Sequence, residues 1–451
     1  MIHMLRNSSV LLLLFIFLLI ILFYQLKYTI DPSVSIKVPV SQNNEKFKII
    51  SNEYSSLWYQ KHCLKTKLAQ KLVVEDLVKY LNNAHTSKNQ ICRQFATIFY
   101  AIFRLEEMYG LLKLSPVYLN KINQWLHNDQ ILIEQIKKQR IIKIYNRYTH
   151  EEMLYNYMRS QRPQTKSDIS PNEYTSKLLE DSRKTCDFCG KNYLNSTAED
   201  RLGRLEHRLS YTAANTFKYD RWHTLIVSRN HDTLHLTEDE IGDMFELAQE
   251  WFHKAFSMEP MYTCPEMIWD AMPKSGASQM HTHLQASLGF DIYYGNIERT
   301  RQGARFYAQN NNGRNYFKDY LYIHQVLGLT IQIGNTTVIV HLTPIKDLEI
   351  MIMDEKLNRN FYKALHLVLR TFVDDLNEYS FSFGMYLPPM NETSSKDGHE
   401  MPVVCRLVFR NPVTNLRSDM NGLDLYTSSV IGKDRYVLYR QLKDGIEKRL
   451  K

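Results

Sequence analysis

Six cysteines are all that the 451-residue chain contains, and they are scattered along it, which excludes a scaffold held together by disulfides. Cys186 and Cys189 alone have a motif spacing. The chain also lacks an RNA- or DNA-binding motif, although its net charge is +8. Its densest basic stretch, from Lys137 to Arg147, has a helical pattern and is interpreted as a solvated helix face. We therefore expect no nucleic-acid partner.

The composition is that of a folded globular protein, with 44% apolar and 23% charged residues. The length suffices for two or three domains with cores of their own. Apolar residues recur at helical spacing up to about residue 139, and shorter β-rich runs follow. We predict four segments: a signal anchor and stem at 1–46, a helical N-terminal domain at 47–140, a catalytic lobe at 141–296 and a second lobe at 297–451.

The first apolar segment is long enough to cross a membrane. Residues 7–26 carry no charge, and about 20 such residues span a bilayer core. No small-x-small site follows them, which disfavours a cleaved signal peptide. We predict a membrane anchor at residues 8–26 and a single-pass protein of the ER or Golgi with a lumenal catalytic domain. Sequons at Asn195, Asn335 and Asn391 permit that address and predict a glycoprotein.

Strand and helix patterns occur twice in the same order, from about 205 to 290 and from about 335 to 430. In the first region, Thr237 is a candidate N-cap of a helix and Glu240 would complete a capping box. This repetition predicts an α+β fold with two related lobes. Between them, the polar stretch 297–318 lacks a clear period, and its Asn-Asn-Asn-Gly run marks a loop.

The sharpest motif is the run Gly276-Ala-Ser278-Gln-Met-His281-Thr-His283-Leu-Gln285. Histidines at alternate positions of a strand point the same way. The open backbone and hydroxyl at Gly276 and Ser278 would suit a phosphate. A neutral histidine is a good nucleophile toward phosphorus when a hydrogen bond fixes its other ring nitrogen. We predict His283 as that nucleophile, with Gln285 donating to a phosphoryl oxygen.

This run resembles the active-site strand of the galactose-1-phosphate uridylyltransferases, a branch of the histidine-triad superfamily, which reads His-Pro-His-Gly-Gln. It also resembles the strand of dinucleotide tetraphosphate phosphorylases, which commonly have Leu before the Gln. The resemblance implies two histidine-triad-like lobes with antiparallel sheets and packed helices, a homodimer, and a covalent nucleotidyl-histidine. The implied substrates are a nucleotide sugar or dinucleotide and a phosphate acceptor.

Three functions remain open within this resemblance. The first is a nucleotidyltransferase that uses a nucleotide sugar, similar to the hexose-1-phosphate uridylyltransferases. The second is a nucleotide-sugar or dinucleotide phosphorylase of the same fold, which Leu284 before Gln285 favours. The third is a catalytically idle protein that binds nucleotides.

Cys186-Asp-Phe-Cys189 resembles the Cys-x-x-Cys half of the structural zinc site in many transferases. The resemblance supplies His231, after a strand, and His281 as the other two ligands, and such a Cys₂His₂ set suits tetrahedral zinc. His235 is a substitute ligand. A disulfide or redox pair is the alternative.

The substrate contacts are also assigned by resemblance. Arg159 and Arg162 match two arginines that approach the substrate phosphates, where a permanent bidentate cation is suited, although Arg-x-x-Arg-Pro by itself is typical of a surface turn. The segment that contacts base and ribose corresponds to Asn215, Thr216 and Phe217, for which a plain strand turn is the alternative.

Two positions depart from the family pattern. Asp270 stands where an Asn usually orients phosphate, and an acid there would repel phosphate unless it is compensated. In the second lobe, the expected His-x-His is replaced by Val404-Cys-Arg406-Leu407, so we expect no second metal. The Tyr-Glu pair that binds the sugar corresponds to Leu423-Asp424. Arg406 and Arg410 would contact phosphate or form salt bridges.

Overall fold

The computed structural model of the protein describes residues 54–66, 71–163, 168–391, 400–410, 412–415 and 418–451. All of them belong to one compact unit. The domain boundaries predicted at residues 46, 140 and 296 therefore stay predictions.

No helix within these described ranges is long and apolar enough to cross a membrane. This finding corrects the predicted fold class, which included a transmembrane helix, and the predicted single-pass location in the ER or Golgi. Both predictions depended on the hydropathy of residues 7–26, which lie outside the described residues. Without that address, the three sequons no longer predict a glycoprotein.

Twelve α-helices lie in the described residues: α1 (Ser56–His62), α2 (Leu77–His85), α3 (Gln90–Ile102), α4 (Pro116–Trp125), α5 (Gln130–Lys137), α6 (Pro171–Arg183), α7 (Tyr193–Ser196), α8 (Glu238–Met258), α9 (Gly295–Asn310), α10 (Tyr316–Val326), α11 (Arg359–Arg370) and α12 (Arg435–Leu450).

The strands in the same ranges are β1 (Phe103–Leu111), β2 (Lys138–Asn146), β3 (Glu152–Tyr155), β4 (Ser210–Ala214), β5 (Trp222–Ser228), β6 (Tyr262–Ala271), β7 (His283–Phe290), β8 (Thr330–Ile333), β9 (Thr336–Ile339), β10 (Leu348–Asp354), β11 (Phe381–Tyr386), β12 (Val403–Phe409) and β13 (Ser428–Ile431).

A nine-stranded sheet with the order β4-β5-β7-β6-β11-β12-β10-β9-β8 forms the centre of the molecule. Its halves mirror each other: β4-β5-β7-β6 contains two strands, helix α8 and two strands along the chain, and β9-β10, α11 and β11-β12 repeat that order. The halves join where β6 and β11 pair antiparallel, with Asp270 opposite Ser382. A smaller sheet, β1-β2-β3-β13, lies beside it.

Helices α8 and α11 cover one face of the large sheet. The side chain of Thr237 caps α8 and Glu240 completes the predicted capping box, which satisfies backbone donors at the helix start. Trp251 of α8 and Trp269 of β6 are almost fully buried in this core, and burying such a side chain contributes at least ~2 kcal/mol. The helices approach closely at Gly242, where an added Cβ would meet Tyr362 at 3.1 Å.

The opposite face of the sheet differs between the two halves. In the second half, Met351, Met353 and Val404 are buried in a cluster that includes Phe95 of α3 and Tyr320 of α10. In the first half this layer reaches Cys264 of β6, and Glu266 and Ser287 are also buried. Asp270 and His283 are only half-buried, so the sheet face is open at this end of the first half.

Three features differ from the sequence predictions. The region 47–140, predicted to be helical, contains strand β1, which pairs along its length with β2. The polar stretch 297–318 forms α9 and the start of α10 around the predicted loop. A disulfide joins Cys63 and Cys92, whose Cα atoms are 5.0 Å apart. Pairing with distant residues decides the strand and the disulfide, and local sequence patterns do not report it.

Candidate active site

His283 is the first residue of β7 and faces the open side of the sheet, whereas its neighbour Leu284 is buried in the helix-side core. Its Nδ1 donates a hydrogen bond to the carbonyl oxygen of His281 at 2.8 Å. This bond assigns the proton to Nδ1 and leaves the lone pair on Nε2. Burial lowers the pKa of His283, which favours the neutral ring. The side chain thus has the tautomer that a nucleophile requires.

Gln285 lies two residues further along the same face. Its Oε1 accepts hydrogen bonds from His223 Nε2 at 3.1 Å and from Asn215 Nδ2 at 3.4 Å. Because both bonds are made to the oxygen, the amide NH₂ group is directed away from them and can donate to a ligand. His223 is fully buried and packs against the ring of Tyr219, with centroids 3.9 Å apart.

Sequence reasoning missed His223 and Tyr219. His223 pairs with Ser287 across β5 and β7, which places it diagonally beside Gln285. This proximity arises from strand pairing, and the only sequence signal was a histidine at the start of a predicted strand.

Glu266 is a third unpredicted residue of the site. It pairs with Ser287, and its Oε1 accepts the backbone N–H of Tyr294 at 2.6 Å. Its Oε2 is buried without a hydrogen-bond partner among the described residues. Burial raises the pKa of Glu266 to about 8, so the carboxyl group is largely protonated at neutral pH.

The contribution of Glu266 to stability is expected to fall as the pH rises from about 4.5 to about 8, so Glu266→Gln should gain stability relative to the wild type over this range. The unfolded carboxyl group ionises near pH 4.5, whereas the folded one holds its proton up to about pH 8. The loss amounts to about 3–5 kcal/mol at 1.36 kcal/mol per pKa unit. Urea unfolding at pH 5 and pH 8 measures it.

The exposed Glu246 provides the control for this prediction. Glu246→Gln should lose stability with pH as the wild type does. A Glu266→Gln variant that loses stability in parallel with the wild type would show that Glu266 ionises normally.

Asp270 ends the neighbouring strand on the same open face. Its carboxylate contacts the hydroxyl of Ser382 and interacts electrostatically with Arg410 and His283. Burial raises the pKa of Asp270, and these three groups oppose the rise. Its Oδ2 lies 3.7 Å from the Cβ position of Gly276, whose φ of +113° suits only glycine. The predicted phosphate loop therefore folds back over a carboxylate.

Ion pairs extend from Asp270 toward the second half of the sheet. Arg410 forms a bidentate pair with Asp419, in which Nη2 and Oδ1 are 2.7 Å apart. Lys346 Nζ donates to Asp424 at 2.6 Å. Asp424 also accepts the N–H of Asn421 in a capping box. Asp424 thus takes part in an ion pair and a helix cap, and its predicted contact with the sugar stays a prediction.

Arg406 forms a salt bridge and contacts no open cleft. Its guanidinium pairs with Glu151 and with Glu349, and the latter also lies 3.4 Å from His341. Of the two roles considered for Arg406, the structure shows the salt bridge.

The two predicted phosphate arginines follow strand β3. Arg159 and Arg162 are exposed, and neither side chain has a hydrogen bond or ion pair to the described residues. Arg159 packs against Gly432, whose N–H donates to Asp347 just before β10. From β7 to β10 the sheet advances by four strands, or ~19 Å along its surface. Contact of Arg159 and Arg162 with the substrate phosphates stays a prediction.

The other predicted contacts lie at the mouth of the site. Thr216 and Phe217 are exposed, and the Phe217 side chain is 87% accessible, which would allow a planar ring to stack on it. Ser278 is exposed on the loop before His281.

Cys186, Cys189, His231 and His281 form a cluster whose ligand atoms all lie within 4.8 Å of one another. Cys186 Sγ lies 3.4 Å and Cys189 Sγ 3.5 Å from His281 Nδ1, and the two Nδ1 atoms are 3.2 Å apart. Tetrahedral zinc, with bonds of about 2.0 Å to N and 2.3 Å to S, separates its ligands by about 3.3–3.8 Å. The residues therefore fit this metal.

The other ring nitrogens of the cluster make the contacts expected of metal ligands. His281 Nε2 donates to the Ser228 carbonyl oxygen at 2.6 Å, and His231 Nε2 donates to that of Leu179 at 3.2 Å. These bonds leave both Nδ1 lone pairs directed into the cluster. His235 instead pairs with Asp232 at 2.8 Å and is half exposed, so it lies outside the set. Both cysteines are free thiols, as a metal site requires.

Comparison with known proteins gives matches only among solved structures: no family model and no curated protein matches the sequence. An ADP-glucose phosphorylase from Arabidopsis thaliana with bound ADP-glucose is 13% identical, has a TM-score of 0.53, and the match covers 67% of this chain and 98% of that chain. A GalT-like protein from Arabidopsis thaliana is 13% identical and has a TM-score of 0.48, and the match covers 58% of this chain and 92% of that chain. Yeast Ap4A phosphorylase is 12% identical and has a TM-score of 0.30, and the match covers 74% of this chain and 94% of that chain.

These structural neighbours belong to the group that the histidine motif resembles, which confirms the predicted resemblance at the level of the fold. The homodimer that the resemblance implied stays a prediction.

Proposed function

We propose that the protein is a nucleotidyltransferase that acts on a nucleotide sugar through a covalent nucleotidyl-histidine at His283. The observation that carries this proposal is the hydrogen bond from His283 Nδ1 to the His281 carbonyl oxygen, which leaves Nε2 available on an open face. The Gln285 amide lies on the same face, with its oxygen held by His223.

In the first half-reaction, Nε2 of His283 attacks the α-phosphorus of the donor. The bond from phosphorus to the bridging oxygen breaks, and the sugar phosphate leaves with the electron pair. The Gln285 NH₂ group donates to a phosphoryl oxygen on which charge develops. In the second half-reaction an acceptor oxygen attacks phosphorus, and the electron pair of the P–N bond returns to Nε2.

The cluster that could hold a metal would stabilise the position of His283 through His281. Zinc held by Cys186, Cys189, His231 and His281 would supply a rigid cross-link between the segments that carry these residues. His281 also provides the carbonyl oxygen that orients His283. A metal bound to His281 would therefore also hold the imidazole of His283 in its orientation.

A phosphorylase of the same fold is the second candidate. Leu284 precedes Gln285, as in the dinucleotide phosphorylases, and the matched structure with a TM-score above 0.5 is an ADP-glucose phosphorylase. The two candidates share the first half-reaction and differ in the acceptor.

The wild-type protein should acquire an acid-labile nucleotidyl group when it is incubated with a suitable donor, because phosphoramidate bonds to histidine hydrolyse in acid. A panel of nucleotide sugars and dinucleotides labelled at the α-phosphate, followed by mass analysis of the peptide that contains residue 283, provides the measurement. His253→Ala, at an exposed position on α8, should label as the wild type does. The absence of label with every donor would support the idle nucleotide-binding protein instead.

A further inference from the structure

We infer that Asp270 is the general base of the second half-reaction and that the acceptor is a neutral hydroxyl, water or an alcohol, with no phosphate of its own at the reacting position. The inference depends on the proposed function, since it concerns the fate of the nucleotide on His283.

Asp270 and His283 lie side by side on the open face. The pairing of β6 with β7 matches Ile268 to Gln285, and continuing this antiparallel register by two residues places Asp270 opposite His283. Directly opposite residues have Cβ atoms about 4.5–5.5 Å apart. Both side chains are half-buried, and they interact electrostatically. The carboxylate therefore lies one strand spacing from the imidazole that would carry the phosphoryl group.

The charges around this position do not favour an anionic acceptor. Arg410 is engaged by both oxygens of Asp419, and Lys346 by Asp424. Lys274 Nζ donates to the carbonyl oxygen of Asn415. The three carboxylates offset the three cations of this set, which consists of Asp270, Asp419, Asp424, Arg410, Lys346 and Lys274. A phosphate dianion beside Asp270 would meet no surplus of positive charge, so the sugar phosphate that leaves in the first half-reaction would be released and would not return as the acceptor.

A hydroxyl acceptor, in contrast, needs what Asp270 supplies. Phosphate oxygens are already anionic and attack phosphorus without losing a proton, whereas a hydroxyl must lose one as the new P–O bond forms. In the inferred step the hydroxyl oxygen bonds to phosphorus, its proton passes to the Asp270 carboxylate, and the P–N bond electrons return to His283 Nε2. The products are a nucleoside monophosphate, or its ester with the alcohol, and the free imidazole.

The surroundings of Asp270 support this role. Burial raises the pKa of the carboxyl group, while Ser382, Arg410 and His283 oppose the rise. A base is most effective when its pKa lies near the working pH. The contact with Ser382 also holds the carboxylate on the open face.

The test uses the wild-type protein labelled with ADP-glucose or UDP-glucose carrying a labelled α-phosphate, freed of donor and then divided. One portion is left in buffer, one receives glycerol, one inorganic phosphate and one glucose 1-phosphate. We expect water or glycerol to discharge the label, and neither phosphate compound to accelerate the discharge. Acceleration by either phosphate compound above the rate in buffer would overturn the inference.

Asp270→Asn should slow discharge to water by about 10²–10⁴-fold and leave formation of the label within a few-fold of the wild type. Asp239→Asn, at an exposed position on α8, should discharge as the wild type does. An unchanged discharge rate in Asp270→Asn would contradict the inference.

Two further outcomes distinguish a failure of this inference from a failure of the proposed function. If Asp270→Asn does not fold, discharge of the wild type in deuterated water decides: general base catalysis requires slower discharge there, and an unchanged rate overturns the inference. If no wild-type label forms with any donor, the proposed function itself fails. A label that forms and is taken up by phosphate leaves the proposed function intact and removes only this inference.

Discussion

Replacement of His283 by glycine is expected to lower the turnover of a nucleotide donor by about four orders of magnitude or more, as the loss of a nucleophile does in other covalent enzymes. Nε2 is the atom to which the nucleotide would bond, and no other imidazole nitrogen among the residues of this face has the same exposure and tautomer: His223 is fully buried and donates to Gln285. Added imidazole should restore part of the rate, because it would occupy the vacated position. Single-turnover assays with labelled donor measure both effects.

The rescued reaction should leave no label on the protein, since the nucleotide would be carried by free imidazole. His253→Ala, combined with thermal melting of each variant, controls for loss of structure. Residual activity within tenfold of the wild type would contradict a covalent role for His283.

Removal of the metal ligand Cys186 should abolish zinc binding and lower the melting temperature by on the order of 5–10 °C. A metal present at a thousand times its dissociation constant stabilises the folded state by about 4 kcal/mol, and that stabilisation is lost with the site. The His281 carbonyl would lose its anchor, so activity should fall together with stability. Elemental analysis of purified wild-type and Cys186→Ser protein, with calorimetry of both, checks the prediction.

Cys264→Ala is the matched control, because Cys264 is buried, free and outside the cluster. It should retain one zinc ion per chain. Wild-type protein without zinc, and with the same melting temperature as Cys186→Ser, would show that the cluster binds no metal.

The chemistry near His283 was predictable because it is local. Gly276, His281, His283 and Gln285 lie within ten residues, and a strand that alternates its faces fixes their relation. The four residues of the cluster that could hold a metal come from three separate segments, but cysteine and histidine are rare enough that their types and a family pattern sufficed to group them.

The misplaced and missed residues depend on pairing between strands. Arg159 and Arg162 belong to the predicted catalytic lobe, yet the backbone at Arg159 packs beside Gly432, whose N–H donates to Asp347 just before β10 in the other half of the sheet. His223 holds Gln285 only because β5 lies next to β7. Asp424 is directed to Lys346 by a loop whose course has no local signature. Such relations are properties of the assembled sheet, and a single sequence contains no periodicity that reports them.

The layer of helices over Met351, Met353 and Val404 has a consequence for how the two halves of the sheet diverge. Apart from the ion-paired Arg406, β12 is buried on both sides, so its apolar positions tolerate substitutions by size. At the start of β7, His283 and Gln285 are only half-buried, and packing alone would not select them. The two halves of the duplicated sheet are thus under different constraints. Chemistry constrains the first half, and the second half has a structural role.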